Sequence, residues 1–218
     1  MTNTIEIILN SSVVLLIVGA AIKGVSILYK EYKLKKIAKN AKKRDENYAN
    51  KLRSIANVYS IMDKIRFLKN VDRVFLLEVA NGGNSPRVGS KMYARGIEIK
   101  VDEDISNTSR GDLLAKYNEV LLDEGYINMC IKILHNKHYD FNTDNELDGL
   151  LKQHYLSEGV NHSRIFHIYT DHTDEKMFIL SVGSFREDKL DDPKLKDIIQ
   201  SDVNEIRDYF RKYRETNG

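Results

Sequence analysis

The stretch IILNSSVVLLIVGAAIKGVSILY, Ile7 to Tyr29, constrains this chain more than any other. It is 23 residues long and carries one charge, Lys23. A helix of that length rises roughly 35 Å, enough to cross a hydrocarbon core of about 30 Å. A buried helix of a water-soluble domain is usually amphipathic, whereas this segment is apolar all round. A cleaved secretion signal would open on a basic segment and close on small residues. MTNTIE has neither lysine nor arginine, and the run ends in Tyr29-Lys30. The expectation is an uncleaved transmembrane helix over residues 5–29.

The charge that follows sets the orientation. Lys30, Lys33, Lys35, Lys36, Lys39, Lys42, Lys43 and Arg44 stand against one acid, Glu31, a local charge of +7. The whole chain carries a formal +2, so the remainder carries −5. A mildly acidic body is a poor general nucleic-acid binder, and no nucleic-acid partner is expected. The positive-inside rule places the N-terminus outside and everything after Lys30 in the cytoplasm, as a single-pass protein of the inner (cytoplasmic) membrane. The lipid bilayer is then the first partner. Its anionic headgroups would meet these eight basic residues, each contributing about 1 kcal/mol when close to the surface. Ser12, Gly19 and Ser26 recur every seven residues, a spacing that permits close helix contact. A homodimer through the transmembrane or stalk helix follows as a further expectation.

From Leu34 to Leu68 there is no glycine or proline. Tyr48, Leu52, Ile55, Tyr59, Met62 and Ile65 form one helical stripe. Residues 30–51 read as a basic juxtamembrane stalk. From Leu52 the stripe is expected to pack on a sheet, opening a folded domain over residues 52–213.

DRVFLLEVA reads as a central strand, with Phe75, Leu77 and Val79 on one face and Val74 and Leu76 on the other. RGIEIKVDED alternates, with Ile97, Ile99 and Val101 facing one way and Glu98 and Lys100 the other, as in a half-solvated strand. Between them lies NGGNSPRVGSK. A phosphate-binding loop needs G-x-x-x-x-G-K-[ST]; here the glycine spacing is wrong, Ser90 precedes Lys91, and Pro86 removes an N–H. The segment reads as a wide hairpin connection. RGDLLAKYNEVLL, EGYINMCIKIL and DNELDGLLKQHYLSEG read as helices, and KHYDF as a short strand. SRIFHIYT and EKMFILSVGSF form a hairpin around DHTD. A closing helix follows, capped by Asp192 with Pro193 in its first turn. The fold class is α+β: an antiparallel sheet of about five strands with helices on both faces. The connecting and closing helices should share one face, and the middle helices the other.

This order resembles the GAF/PAS-like sensor fold. DRVFLLEVANGG, LLDEGYINMCIKIL and LLKQHYLSEGV are similar to segments of small membrane-anchored GAF-like proteins of phage and bacterial genomes. Those relatives carry a His where this chain has Ala80. The one-span layout also resembles that of the T-even phage holin, whose soluble domain lies outside the inner membrane. The resemblance implies a small-ligand or protein-binding module. GAF-like sheets can bind ligands between sheet and helices, and His167, Tyr169, Tyr93 and Arg95 on the strands are the candidate ligand-binding residues.

The rest of the sequence offers little catalytic chemistry. The six histidines fall between His135 and His172 with no H-E-x-x-H and no cysteine cluster, so no metal site is expected. Cys130 lies on the apolar stripe of a helix and reads as a core residue. As the only cysteine, it excludes an intrachain disulfide. No nucleophile–base pair is evident, so no catalytic residue, enzyme activity or cofactor is expected. The leading expectation is a membrane-anchored GAF-like sensory or regulatory module binding a small ligand or a protein. The alternative is a holin-like membrane-lesion protein.

Overall fold

A computed structural model of the chain describes residues 2–80, 91–102, 109–143, 149–186 and 190–215. Side chains are described from residue 23 onward, apart from those of Glu119 and residues 213–215. Two compact units are present, Met1–Leu52 and Arg53–Gly218. Helix α1, Thr2–Arg66, makes up the first and begins the second. Among the described residues no helix is long and apolar enough to cross a membrane. Most of the apolar run, residues 7–22 with Ser12 and Gly19, lies outside the described side chains. From residue 23 through Tyr48 every side chain is exposed, including all eight basic residues from Lys30 to Arg44.

The second unit continues through β1 (Arg73–Ala80), β2 (Tyr93–Val101), α2 (Arg110–Lys116), β3 (Asn118–Leu121), α3 (Glu124–Asn136) and β4 (His138–Asn142). After these come α4 (Gly149–Ser157), β5 (His162–Asp171), β6 (Lys176–Ser184) and α5 (Pro193–Glu215). The strands form one antiparallel sheet in the order β3-β2-β1-β6-β5-β4. β1 and β6 are its centre, which is why VFLLEVA is apolar on both pleat faces. Phe75, Leu77 and Val79 enter one core with α2, α3 and α4. Val74 and Leu76 enter the other with the end of α1 and with α5. Fully burying each such side chain stabilises the fold by about 1.5–3 kcal/mol. The two-layered cover expected from the sequence is therefore present. The α1/α5 layer is called the outer face below, and the α2–α4 layer the inner face.

Three expectations are corrected. The sheet has six strands, because Asn118–Leu121, read as the end of a helix, pairs with β2. Helix α2 stops at Lys116, and the free edge of β2 captures the next four residues. In β2 the alternation breaks at a bulge: Leu76 faces Glu98 and Leu77 faces Gly96, leaving Ile97 as the extra residue. Ile97 therefore packs on the outer face and Ile99 on the inner. Glu98, expected in solvent, is buried and ion-paired to Arg110 at 2.6 Å. A Cβ at Gly96 would lie 2.9 Å from the Phe75 ring, so the bulge needs glycine there. Third, the packed stripe of α1 starts at Val58. Leu52 and Ile55 remain 50% and 42% exposed.

The closing helix begins as expected: Asp192 accepts from Lys194 N at 2.9 Å, and Pro193 is its first residue. Leu195, Ile199, Val203 and Ile206 are buried along it, whereas Ile198 is exposed. Tyr213 lies outside the described side chains. The β1–β2 connection, residues 81–90, lies outside the described residues, although the antiparallel pairing of the two strands is a hairpin pairing.

Candidate functional site

The inner face holds a buried charge pair. Arg73 is the first residue of β1 and shares its pleat face with Phe75, Leu77 and Val79. Its Nη1 donates to Glu158 Oε2, and both side chains are essentially inaccessible. Glu158 follows α4, where Gly159 at φ +71 turns the chain back toward β5. Glu158 Oε1 is 3.1 Å from Lys116 Nζ, an ion-pair contact whose angle falls short of a hydrogen bond. Arg73 Nε, also buried, has no hydrogen-bond partner among the described residues. Lys116 donates to Ser157 Oγ at 2.6 Å, so the charged chain runs from the core to the surface end of α2.

Aromatic groups surround the pair. The Arg73 guanidinium lies over the rings of Tyr155 at 5.1 Å and Phe75 at 5.8 Å. Tyr117 meets Phe75 edge-on at 4.7 Å. Tyr126 hydrogen-bonds His154 Nδ1 at 2.9 Å, and Tyr155 hydrogen-bonds Ser181 at 3.2 Å, which in turn reaches Ser163 at 3.0 Å. Burial by itself would lower the Arg73 guanidinium, but Glu158, then Tyr155 and Tyr117, outweigh it and raise it, so it stays a cation. Burial raises Tyr117, Tyr126 and Tyr155, keeping their phenols protonated. Burial also pushes the Cys130 thiol up to about 12, so it is a core residue and no nucleophile.

The chamber these residues line, bounded also by Met129 and Ile165, has a volume of about 10 Å³, close to that of a single water. Val79 and Cys130 also line a second cavity of about 380 Å³, walled by Met92, Leu122, Ile127 and Met177, with Asp171, His172 and Lys176 at its polar side. A closed, mostly apolar chamber with Arg73 in its wall therefore shares Val79 and Cys130 with an open vestibule. The guanidinium is a fixed cation paired with Glu158, among three phenols of which Tyr126 and Tyr155 already have hydrogen-bond partners. Among the described residues, no group of three His, Cys, Asp or Glu side chains could hold a metal ion.

None of the four residues expected from the sequence lines this chamber. His167 and Tyr169 lie together in a groove between β5 and α5, where Tyr169 packs on Phe210. Tyr93 and Arg95 are on β2, separated from β5 by the two strands β1 and β6. Tyr93 is half-buried, and Arg95 is exposed and 3.7 Å from Glu78. A signal for Arg73 was present: it stands two residues before Phe75, on the face that a central strand buries. Glu158 carried none, because a carboxylate after a helix usually meets solvent.

No protein-family model matches the sequence, and no curated protein matches it. Solved structures do. The phycoerythrobilin-bound GAF domain of a cyanobacterial phytochrome is 11% identical over 79% of this chain and 98% of its own, with a TM-score of 0.50. The GAF domain of a two-component sensor histidine kinase from Bacillus halodurans is 10% identical over 75% and 97%, at 0.52. A GAF domain/HD domain protein from Geobacter sulfurreducens is 8% identical over 74% and 94%, at 0.51. The likeness is one of fold: an α+β body with a GAF-like six-stranded antiparallel sheet.

Proposed function

We propose that this chain is a membrane-anchored, non-catalytic sensory module that takes a small carboxylic acid at Arg73. One observation carries the reading: Arg73, fully buried and paired with Glu158, lines a nearly filled chamber beside an open apolar vestibule. Removing two charges from water costs several kcal/mol each, and an apolar pair of similar volume is commonly as stable or more so. Stability is therefore a poor reason for Arg73 and Glu158. A ligand carboxylate would replace Glu158 on Arg73, leaving Glu158 to Lys116 at the surface end of α2. The apolar body of the ligand would rest on Met92, Leu122 and Met177. Helix α4 is bracketed by Gly149 and Gly159, both at positive φ, which lets it tilt as the chamber fills. The fold likeness to a sensor kinase domain supports a sensory role.

The anchor belongs to the same proposal. The apolar run and the basic flank support a span over residues 5–29, with the folded unit at the cytoplasmic face. Val25, Leu28 and Tyr29, at the end of that run, are about two-thirds exposed, and a bilayer would cover them.

The test uses the full chain in lipid nanodiscs, with its thermal midpoint screened against small carboxylic acids. At least one should raise the midpoint of the wild type and leave that of the Arg73→Met/Glu158→Leu double variant unchanged. A screen with no response, or with equal responses in both proteins, contradicts the binding site. A reporter enzyme fused to the C-terminus in bacteria should read out in the cytoplasm; periplasmic activity would overturn the orientation.

A further inference from the structure

We infer that the groove between α5, β5 and the α3–β4 junction is a second binding site, for a phosphate monoester. Lys137, His167, Tyr169, His172, Arg207 and Arg211 line a cavity of about 510 Å³ there. That volume is within the range of small-molecule sites.

The cations are only partly compensated. Arg207 donates from Nε to His167 O at 2.8 Å, from Nη2 to Lys137 O at 3.2 Å and from Nη1 to Asn204 Oδ1 at 2.8 Å. These partners are two carbonyls and an amide, so the guanidinium is held in place while its charge is left unmatched. Three of its five N–H groups are used, and two remain. Among the described residues no carboxylate lies within ion-pair distance of Arg207 or Lys137. Arg211 has Asp208, at 3.5 Å and fully in solvent. Lys137, Arg207 and Arg211 set against Asp208 leave a net of two positive charges. Burial, then Arg211, lowers the Arg207 guanidinium, the mark of a half-buried cation beside another cation.

That excess selects the ligand class. A phosphate monoester carries about −1.5 to −2 at neutral pH, matching two charges where one carboxylate matches one. Guanidinium geometry suits phosphate oxygens. Tyr169, Leu134 and Ile168 offer an apolar wall for the rest of the molecule. The groove shares no lining residue with the Arg73 chamber, although Leu134, Thr170 and His172 line both it and the vestibule.

The ester could be soluble or the headgroup of a lipid, and the experiment separates the two. The thermal midpoint of the full chain in detergent is titrated with inorganic phosphate against sodium chloride at equal ionic strength. Glycerol 3-phosphate and dihexanoyl phosphatidic acid are then compared at the same phosphate concentration. The Lys137→Asn/Arg211→Gln variant is the control. Lys137 sits at φ +67, where Asn is better tolerated than Lys, and neither replaced side chain makes a buried hydrogen bond, so the variant should fold. A saturable rise of roughly 3–6 °C at ten times the dissociation constant is expected in the wild type and none in the variant. The probe with the larger rise names the source. A phosphate response no greater than that to chloride, or one equal in wild type and variant, overturns the site.

Discussion

Arg73 and Glu158 illustrate what one residue can and cannot reveal. Arg73 was legible through period-two alternation, because a central strand buries every side chain on its inner face whatever its polarity. Glu158 became a core residue only when Gly159 reversed the chain and carried the carboxylate to the start of β1, 85 residues earlier. The bulge changes the phase of Ile97 and leaves Glu98 on the face opposite Ile99, so Glu98 was misjudged for another reason: its face is covered, with Lys100 and Arg110 beside the carboxylate. His167 was expected as a candidate ligand-binding residue, and its surroundings, the Lys137 turn and Arg207, come from elements 30 and 40 residues away. Those surroundings give it a pH signature. Burial, then Lys137 and Arg207, lowers the imidazole to about 4 from an ordinary 6.5. Between those values the unfolded chain binds the proton and the folded one does not, so stability falls as pH drops from about 6.5 toward 4. Above 6.5 both states are neutral and the effect vanishes. His167→Asn should therefore narrow the gap between the thermal midpoints at pH 7 and pH 4.5; an unchanged gap would show that the imidazole does not titrate in this window.

Among the elements, those with strong local rules were legible. The β5–β6 hairpin, the α5 start at Asp192-Pro193 and the α3 end at Asn136 each rest on turn or cap chemistry that acts within a few residues. Strand β3 was not legible, because NEVL has no strand pattern of its own and exists only through pairing with β2. The α1 stripe was legible in type and misjudged in extent, since periodicity cannot say where a helix meets its sheet. One cap links two elements. Asp123 Oδ1 accepts from Tyr126 N at 3.0 Å at the start of α3, and its Oδ2 accepts from Leu150 N at 2.9 Å at the start of α4. Gly149, at φ +67, makes this approach possible, because a Cβ there would lie 2.6 Å from Asp123 Oδ2. A single cap is worth about 1 kcal/mol, so Asp123→Ala should cost about 2 kcal/mol and lower the midpoint by roughly 4–8 °C. Asp123→Asn, which keeps both acceptors only by sharing one oxygen, should fall between. A loss below about 0.5 kcal/mol would show that the two helix starts do not depend on the carboxylate.

For the whole molecule, the sequence indicated two layers over one sheet, and the structure has them. What it could not indicate was which layer carries chemistry. The inner face is closed around a charge pair, and the outer face carries the cationic groove at one end. The residues of the proposed site are brought together by topology: Arg73, Lys116, Tyr126 and the Tyr155–Glu158 turn come from four separate places in the chain. The resemblance in element order anticipated the GAF-like fold but not this set. Under the proposed function, the Arg73–Glu158 pair is retained for ligand capture rather than for stability. The direct test is a double-mutant cycle on the full chain. Breaking one half leaves a lone buried charge, so Arg73→Met and Glu158→Leu should each cost about 3–5 kcal/mol, a drop of roughly 6–20 °C in midpoint. The double variant should return to within roughly 3 °C of the wild type or exceed it. A double variant as unstable as the two single losses added together would contradict the claim and make the pair a structural fastener.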